Sequence, residues 1–421
     1  MQKVLGSNSA VMKRRNRSLI LNMIKSEGKI SRAELSKRTG LSRGGMTPII
    51  NELLKLGLII ETGVSVTGSG RRPINLELNA SGCHAIAVDW TRKKFTVAVV
   101  DFLGSIIAEK DYNFIENDTL DHIIKVLKDV IKEFLNKFKF NRIAGIGIVA
   151  PGPLDINKGI ILSPPNFWGW KNIPIKQILE ETFNIPVILD NNANAYAIAE
   201  KNYGREKKYR NFIYAVVDEG IGAGIIMDNR IYRGKGGFGS EIGHISIDMN
   251  GPKCECGNHG CIEVYATIPQ IMRYINSFAE LGIPSSYLTE IRSRRLIEWD
   301  DIIKGLQMED PVCLNIIRKE AEYLANVFVT LINVLEPEAI FIGSTIAKAG
   351  NALLDNLEEL ISDKTVTKDI HETKLYLSDL SQASLIGGAM LVIQNFIDQG
   401  NFEDLVKAES GWQSDEIHYR F

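Results

Sequence analysis

The stretch that decides the fold is Glu241-Ile242-Gly243-His244, followed by Cys254-Glu255-Cys256-Gly257-Asn258-His259-Gly260-Cys261-Ile262-Glu263. Three thiolates and one imidazole form the tetrahedral ligand set that Zn²⁺ prefers in proteins. Because four protein ligands leave no open position for a substrate, we expect this zinc to be structural. His259 remains a competing choice for the fourth ligand. The predicted ligands are His244, Cys254, Cys256 and Cys261.

The composition is that of an ordinary globular protein. The chain has 421 residues, of which 45% are hydrophobic and 24% are charged, and this length predicts two or three domains. The sequence has no run of eighteen apolar residues and no signal-peptide pattern at its start, so we expect a cytoplasmic protein without a membrane span. Reduced intracellular thiols favour metal binding over a disulfide for the cysteine cluster. The isolated Cys83 and Cys313 are predicted core residues.

Charge is unevenly distributed along the chain. Residues 1–80 contain 14 Lys and Arg against 5 Asp and Glu, a net charge of +9, while the whole chain carries −2. The remaining residues therefore carry −11. A basic segment joined to an acidic body indicates that the segment binds a polyanion. A solvated basic surface is the alternative that charge alone leaves open.

The basic segment has the pattern of a helix-turn-helix. Apolar residues at helical spacing predict a first helix over 17–26. Ser31 and Glu34 have the spacing of a capping box and predict a second helix over 32–38. A tight turn and a longer third helix follow, which is the arrangement that places a helix in the DNA major groove.

The third helix and a β-wing carry the predicted DNA contacts. Ser42 is the expected cap of the third helix, but a Gly-Gly pair and Pro48 leave open a later start with Thr47 as cap. Strand-like runs at 58–61 and 74–78 predict a wing whose basic tip reaches phosphates or a minor groove. A merely solvated basic loop is the alternative for that tip. The predicted DNA-binding residues are Ser42, Arg43, Thr47, Arg71 and Arg72.

Strand-like and helical segments alternate through the rest of the chain. The predicted strands are 84–89, 95–101, 143–149, 185–189 and 212–217. The predicted helices are 120–137, 193–203, 315–335 and 350–361. This alternation is typical of two α/β halves, which usually hold a ligand in the cleft between them.

Three further motifs accompany the cysteine cluster. They are Pro151-Gly152-Pro153-Leu154-Asp155, Pro165-Asn166-x-x-Gly169-Trp170 and Asp190-Asn191-Asn192-Ala193-Asn194. Together with the cluster they resemble the signature of the ROK family of sugar kinases and repressors, over residues 15–397. The resemblance implies an actin-like, hexokinase-like α/β fold of two lobes. A winged head before such a body is the layout of the family's repressors, among them those for xylose, glucose and N-acetylglucosamine.

The resemblance also implies a sugar site beside the zinc loop. Carboxylates and amides suit this role, because a sugar hydroxyl both donates and accepts hydrogen bonds. Gly152 would line the site. Glu241 and Glu263 have alternative roles as supports of the zinc loop or as helix caps. Matched to the family's motifs, the sugar contacts are Asn166, Asn191, Asn192, Glu241, His244 and Glu263.

Kinase activity is not expected, for reasons the resemblance supplies. Sugar kinases of the family have an aspartate at the position of Asn192, and an amide cannot act as a general base at neutral pH. Their first phosphate turn has two glycines, which are missing here from Asp89-Trp90-Thr91-Arg92-Lys93. The third turn keeps one glycine, in Ile342-Gly343-Ser344-Thr345. The second is intact in Gly220-Ile221-Gly222-Ala223-Gly224, but glycines also serve hairpin turns.

These patterns predict a sugar-responsive transcriptional repressor that is not an enzyme. The predicted domains are a winged helix-turn-helix over 1–80, a sugar-binding domain over 81–400 with its zinc loop at 244–263, and a tail over 401–421. The expected partners are operator DNA, a monosaccharide of the xylose or glucose type, and further copies of the chain, since two-fold operators require paired heads. A dimer is the smallest assembly that satisfies this. An ATP-dependent sugar kinase with an added head and a scaffold that recruits another protein are the alternatives.

Overall fold

A computed structural model describes residues 9–64, 74–138, 142–164, 167–279, 285–362, 364–366 and 372–402. Contacts divide the chain into two units. The first unit comprises the described residues up to Asp190 and from Gly388 onward, and the second comprises Asn191–Gly387. No helix in the described part of the chain is long and apolar enough to cross a membrane.

The first unit begins with a winged helix-turn-helix, called the head below. Its elements are α1 (Ser9–Glu27), β1 (Ile30–Ser31), α2 (Arg32–Thr39), α3 (Arg43–Lys55), β2 (Ile59–Val64) and β3 (Ile74–Leu78). The strands form one sheet in the order β1-β3-β2, in which β2 and β3 are antiparallel. The three helices and both wing strands agree with the prediction, although α1 starts earlier than residue 17. The wing tip, with Arg71 and Arg72, lies outside the described residues.

Side chains at the helix ends define α2. The Ser31 hydroxyl accepts a hydrogen bond from the Glu34 backbone N–H at 3.2 Å, which is the expected half of a capping box. The Glu34 carboxylate accepts instead from the Arg38 Nε at 2.8 Å. Gly40 ends the helix with a positive φ of 71°, a conformation that glycine adopts without a Cβ penalty.

Helix α3 begins directly after Ser42, so the alternative start at Thr47 is wrong. The Ser42 hydroxyl caps the helix by accepting from the Gly45 N–H at 3.2 Å. Pro48 lies inside the helix, where proline costs about 3 kcal/mol. Burial of an apolar side chain contributes about 1.5–3 kcal/mol, so the buried face of α3 offsets that cost. This face consists of Met46, Ile49, Ile50 and Leu53.

The rest of the first unit is an α/β layer. Its elements are β4 (His84–Trp90), β5 (Lys94–Asp101), β6 (Ile106–Asn113), α4 (Leu120–Lys137), β7 (Ile143–Ala150), β8 (Leu154–Asp155), β9 (Ile160–Ile161), α5 (Ile175–Phe183) and β10 (Val187–Asn191). The main sheet has the order β10-β7-β4-β5-β6, with β4 and β7 parallel. Helix α4 buries one apolar face, whose spacing explains why the prediction of 120–137 is confirmed. This face consists of Ile123, Leu127, Val130, Ile131 and Phe134.

The second unit contains a second sheet with the strand order β13-β12-β11-β14-β15. Its elements are α6 (Asn192–Tyr203), β11 (Phe212–Val217), β12 (Ile221–Met227), β13 (Arg230–Tyr232), α7 (Glu263–Ala266), α8 (Ile268–Ala279), α9 (Ser286–Arg292), α10 (Trp299–Gln307), α11 (Pro311–Leu335), β14 (Ala339–Gly343), α12 (Asn351–Ser362) and β15 (Lys374–Leu377). Helix α13 (Ala383–Gln399) begins in this unit and ends in the first. The mixed α/β class is therefore confirmed.

Several elements have no counterpart in the prediction, notably β6 and α13. Strand β6 is an edge strand with mostly exposed side chains, so its sequence lacks the apolar run that marks a buried strand. Of the predicted tail, the structure describes Asn401 and Phe402, and Phe402 is buried against Phe396 with ring centroids 5.0 Å apart. The remainder of the tail lies outside the described residues, and a domain boundary at residue 80 stays a prediction.

Candidate functional site

The predicted metal ligands come together in the second unit. One ligand atom from each of His244, Cys254, Cys256 and Cys261 lies within 4.8 Å of the others. The Cys254 Sγ is 3.7 Å from His244 Nδ1, and the Cys256 and Cys261 sulfur atoms are 3.6 Å apart. Sulfur atoms at this separation, with an imidazole beside them, have the spacing of a tetrahedral metal site. In the described part of the chain, His259 does not belong to this group.

Two glycines let the backbone fold around the four ligands. Gly257 and Gly260 have positive φ angles of 95° and 62°. A Cβ on Gly260 would overlap the Asp248 carbonyl oxygen, so the loop cannot close with a larger residue there. The Cys254 N–H donates to the Asn258 carbonyl at 2.8 Å, which closes the turn that presents Cys254 and Cys256. The loop geometry therefore requires the glycine spacing seen in the sequence.

The predicted carboxylates lie beside the metal group. His244 Nε2 is 3.9 Å from Glu263 Oε2, so the imidazole has a sulfur neighbour at one nitrogen and a carboxylate at the other. A Cβ on Gly243 would come within 2.9 Å of that same Glu263 oxygen. Desolvation raises the pKa of Glu241, His244 opposes the shift, and the Glu263 carboxylate adds to it. Two carboxylates and an imidazole thus form one polar surface.

The two asparagines mark the start of α6. The Asn191 side-chain oxygen accepts from the Ala193 N–H at 2.8 Å and caps the helix. The Asn192 side-chain oxygen lies 2.9 Å from the same N–H. Asp190, in β10, is 1% exposed. Asn192 is therefore the first helical residue, whereas Asp190 is a strand residue.

A glycine-rich hairpin connects the carboxylates to the asparagines. An ideal Cβ on Gly220 would lie 3.6 Å from Glu263 Oε1, and one on Gly222 would lie 3.6 Å from the Ala193 Cβ. A Cβ on Gly224 would overlap the Ala193 carbonyl oxygen. The glycines of this turn thus permit close packing of α6 and Glu263, so their presence needs no phosphate to explain it. The hairpin thus packs against Glu263 and against the first turn of α6, where Asn191 and Asn192 stand.

The remaining residues predicted at the sugar site belong to the first unit. Gly152 lies two residues after the end of β7. Asn166 lies outside the described residues, so its predicted contact stays a prediction.

Side chains occupy the first of the three turns that a kinase would use for phosphate. Between β4 and β5, the Thr91 hydroxyl donates to the Lys94 carbonyl at 2.9 Å and accepts from the Lys94 N–H at 3.1 Å. The Trp168 indole N–H donates to the Arg92 carbonyl at 2.7 Å. The backbone groups of Arg92 and Lys94 in this turn are therefore hydrogen-bonded to Trp168 and Thr91.

The third turn is held by an acidic residue to which sequence analysis assigned no role. Asp218 accepts hydrogen bonds from the Ser344 hydroxyl at 2.6 Å and from the Thr345 hydroxyl at 2.9 Å. Ser344 has a φ of 69°, which is rare for a residue with a side chain. A carboxylate at this place repels an anionic phosphate. Its position two residues before Gly220, the first hairpin glycine, is the signal in the sequence that could have indicated it.

The predicted DNA contacts of α3 are exposed at the helix start. Ser42, Arg43 and Thr47 are all exposed. The Ser42 hydroxyl is engaged as the helix cap, and the Thr47 hydroxyl donates to the Arg43 carbonyl at 2.8 Å. The Arg43 guanidinium is thus the longest donor on this end of the helix, whose positive N-terminal dipole also favours phosphate.

Comparisons with known proteins agree with this architecture. The sequence model of the ROK family matches residues 85–395, and a model of a winged helix-turn-helix DNA-binding domain matches residues 13–60. A xylose repressor from Bacillus spizizenii is 31% identical over 395 residues, which cover 93% of this chain and 98% of the relative.

Two solved structures extend the comparison. The crystal structure of a ROK family transcriptional regulator, a homologue of the Escherichia coli MLC protein, is 28% identical with a TM-score of 0.82, and the match covers 94% of this chain and 99% of that one. A ROK family glucokinase from Streptomyces griseus, in complex with glucose and AMPPNP, is 25% identical with a TM-score of 0.64. That match covers 73% of this chain and 98% of the glucokinase.

Proposed function

The chain belongs to the ROK family, and we propose that it is a transcriptional repressor whose operator binding is regulated by a monosaccharide. The observation that carries the proposal is the combination of a winged head with a family body whose first and third phosphate turns are closed by side chains. The xylose repressor that it resembles over nearly its full length supports the same function. A monosaccharide of the xylose or glucose type is the proposed effector.

The head would bind operator DNA through the start of α3 and the wing. Arg43 is the proposed base contact, because arginine presents paired donors to guanine in the major groove. Ser42 and Thr47 would contact the DNA backbone, and Arg71 and Arg72 would reach phosphates or the minor groove. A repressor acts where the genome is, so we place the protein in the cytoplasm. A homodimer or larger homo-oligomer would present the paired heads that a two-fold operator requires.

The sugar would bind in the second unit, at the polar surface of Glu241, His244 and Glu263 and at the start of α6. Its hydroxyls can exchange paired hydrogen bonds with amides and carboxylates. The ligands proposed for it in this unit are Asn191, Asn192, Glu241, His244 and Glu263, and the contact predicted for Asn166 stays a prediction. We further propose that Zn²⁺, held by His244 and the three cysteines, is the resident metal and has a structural role. It would hold the His244 ring in place for the sugar and deprotonate the thiols that bind it.

Binding without phosphorylation is the proposed outcome at this site. The Asn192 amide can hold a hydroxyl but cannot remove its proton. Thr91 and Trp168 close one turn, and Asp218 with Ser344 occupies another, so the nucleotide phosphates lose their backbone cradle. The similarity to a glucokinase is explained by the ROK domain that both proteins contain.

Operator binding titrated with sugars tests the proposal. The purified full chain would select its operator from random duplex DNA, and fluorescence anisotropy would follow binding with xylose, glucose or N-acetylglucosamine added. We expect one of these sugars to change operator affinity at least tenfold, which corresponds to about 1.4 kcal/mol. Failure to select any specific duplex would overturn the proposed function, and ADP release with the same sugars would replace it with the kinase alternative.

A matched pair of variants locates the effector site. Glu263→Gln should lose the sugar response and keep sugar-free operator affinity, because the substitution removes a carboxylate of the proposed site and leaves the head unchanged. Glu255→Gln changes an exposed residue of the same loop and should behave as wild type. An equal response of both variants would remove Glu263 from the proposed sugar site.

A further inference from the structure

We propose that Arg17 is the positioning residue of the operator-reading helix, because it connects α3 to the C-terminal end of α13. The inference rests on the proposed DNA-binding function and adds a way in which the body fixes the head. It concerns contacts within the first unit alone.

Arg17 belongs to the basic head but cannot contact DNA itself. Its side chain is 0% exposed, whereas cations that bind phosphate must reach the surface. A guanidinium does not lose its proton in proteins, so a buried one requires hydrogen-bond partners. Burial of this charge therefore points to a structural connection between the elements that supply those partners.

The partners of Arg17 come from two distant parts of the chain. Its Nε and Nη2 donate to the carboxylate of Glu52 in α3, with an Nε–Oε2 distance of 3.3 Å. Its Nη1 donates to the carbonyl of Gly400, directly after α13, at 3.3 Å. A Cβ on Gly400 would overlap the carbonyl oxygen of Arg14 in α1, so the chain after α13 lies against α1 itself. One side chain thus joins α1, α3 and the end of α13.

A second set of polar contacts fixes α1 to α13 one turn away. Asn22 donates to Asp398 at 3.1 Å and accepts from Gln394 at 2.8 Å. Lys25 donates to Gln394 at 2.8 Å, and burial lowers the pKa of this lysine to about 8, with Asp398 opposing the shift. These contacts fix the position of α1 along α13. Because Arg17 connects α1 to Glu52, the position of α3 depends on the same contacts.

The C-terminal end of α3 is held from the body as well. Arg142, which precedes β7, donates to the carbonyl of Leu56 at the end of that helix. Arg17 and Arg142 therefore fix α3 at two points along its length. Base-edge hydrogen bonds need exact placement of the reading helix, whereas phosphate contacts tolerate small shifts. Loss of the Arg17 connection should therefore reduce specific binding and leave non-specific binding unchanged.

Three variants of the full chain test the inference with the selected operator and a scrambled duplex of equal length. Arg17→Gln removes the connection. Lys13→Gln is the matched control, because Lys13 is the exposed partner of the same Glu52 carboxylate at 3.4 Å. Gln394→Ala combined with Asp398→Ala changes α13 alone and leaves every head residue in place. Hydrogen exchange of the peptide covering α3 reports whether the head itself stays folded.

We expect Arg17→Gln and the α13 double variant to lose at least tenfold in operator affinity, with scrambled-duplex affinity and its salt dependence as in wild type. Lys13→Gln should keep the wild-type ratio of the two affinities. Operator affinity within twofold of wild type in Arg17→Gln, with α3 protected from exchange, would overturn the inference whatever the α13 double variant does. If the wild-type chain selects no operator, the proposed function itself fails instead.

Discussion

The metal loop of the second unit joins residues that are close in sequence, whereas the contacts of Arg17 join residues that are far apart. His244 and Cys261, which bound the loop, are 17 positions apart. Arg17 reaches Glu52 over 35 positions and Gly400 over 383. The loop is a local structure that needs an ion to complete it, while the Arg17 contacts need the whole first unit to be folded.

This difference determines how much stability each region loses when one of its interactions is removed. Without its ion the loop loses the bonds that hold its three cysteines and its imidazole together. The α1–α13 contacts are several separate hydrogen bonds, so the loss of one leaves the others in place. We therefore expect substitutions in the loop to cause a large loss of stability that is confined to the second unit. Substitutions around α13 should cause a smaller loss that also affects the head.

Metal removal is the largest expected effect. Structural zinc contributes about 10–16 kcal/mol of apparent binding free energy in small zinc-dependent peptides at neutral pH. Cys261→Ser should therefore abolish binding of about one zinc ion per chain, counted by mass spectrometry of the metal, and lower the unfolding temperature of the second unit. Hydrogen exchange should place the loss of protection in residues 244–263.

Cys313→Ala provides the control in the same unit. Cys313 is buried in the core of α11, and burial raises the pKa of its thiol to about 12, so it remains an uncharged core side chain. The variant should keep its zinc and lose only the stability of a small cavity. Equal zinc contents in Cys261→Ser and wild type would show that the loop is not the metal site.

The same contrast explains what the sequence could predict. The ligands His244, Cys254, Cys256 and Cys261 were identified from residue type and spacing alone, since their chemistry is local and specific. The cap at Ser42 was predicted as well, but the choice between it and Thr47 depended on the buried face of α3. Arg17 was merely one cation of a basic segment, because its burial depends on Gly400, and nothing local in the sequence connects the two. Asp218 was missed because its partners, Ser344 and Thr345, follow β14, more than 120 positions further along the chain.

Close packing of α13 against the first sheet gives the next largest effect. A Cβ on Gly147, in β7, would overlap the carbonyl oxygen of Gly388 and come within 2.6 Å of its carbonyl carbon. Both atoms belong to the backbone and cannot rotate away. Gly147→Ala should therefore lower the unfolding free energy by about 3 kcal/mol, read from thermal unfolding, since overpacking a core typically costs 1–3 kcal/mol or more.

Gly44→Ala is the matched substitution in open space. A Cβ there has no neighbour within 4 Å, and the residue is helical, so alanine should raise stability by about 0.5–1 kcal/mol. Gly147→Ala should also weaken operator binding, because it displaces the helix that carries Gln394 and Asp398. If its stability and operator affinity match those of wild type, α13 does not pack on β7 as described.

The smallest expected effect concerns Glu320, a buried ionisable residue. Arg17 stays charged and is paired, whereas Glu320 is buried as the neutral acid. Glu320, in α11, is 2% exposed, and its Oε1 has no hydrogen-bond partner among the described residues. Burial raises the pKa of this carboxyl well above its usual value. A carboxyl can take up a proton where a guanidinium cannot lose one, so Glu320 can be buried without a charged partner, whereas Arg17 stays charged and needs hydrogen-bond acceptors.

The sign of its pH dependence follows from the direction of that shift. Below the unfolded-state pKa of 4.5 both states hold the proton, and above it the unfolded chain alone releases it. The wild type should therefore lose stability relative to Glu320→Met as pH rises, by about 1 kcal/mol between pH 5 and pH 6. Glu322→Met, at an exposed position of the same helix, should show no such trend. A constant difference between wild type and Glu320→Met over this range would mean that the carboxylate is charged in the folded protein, which requires a partner that the described contacts lack.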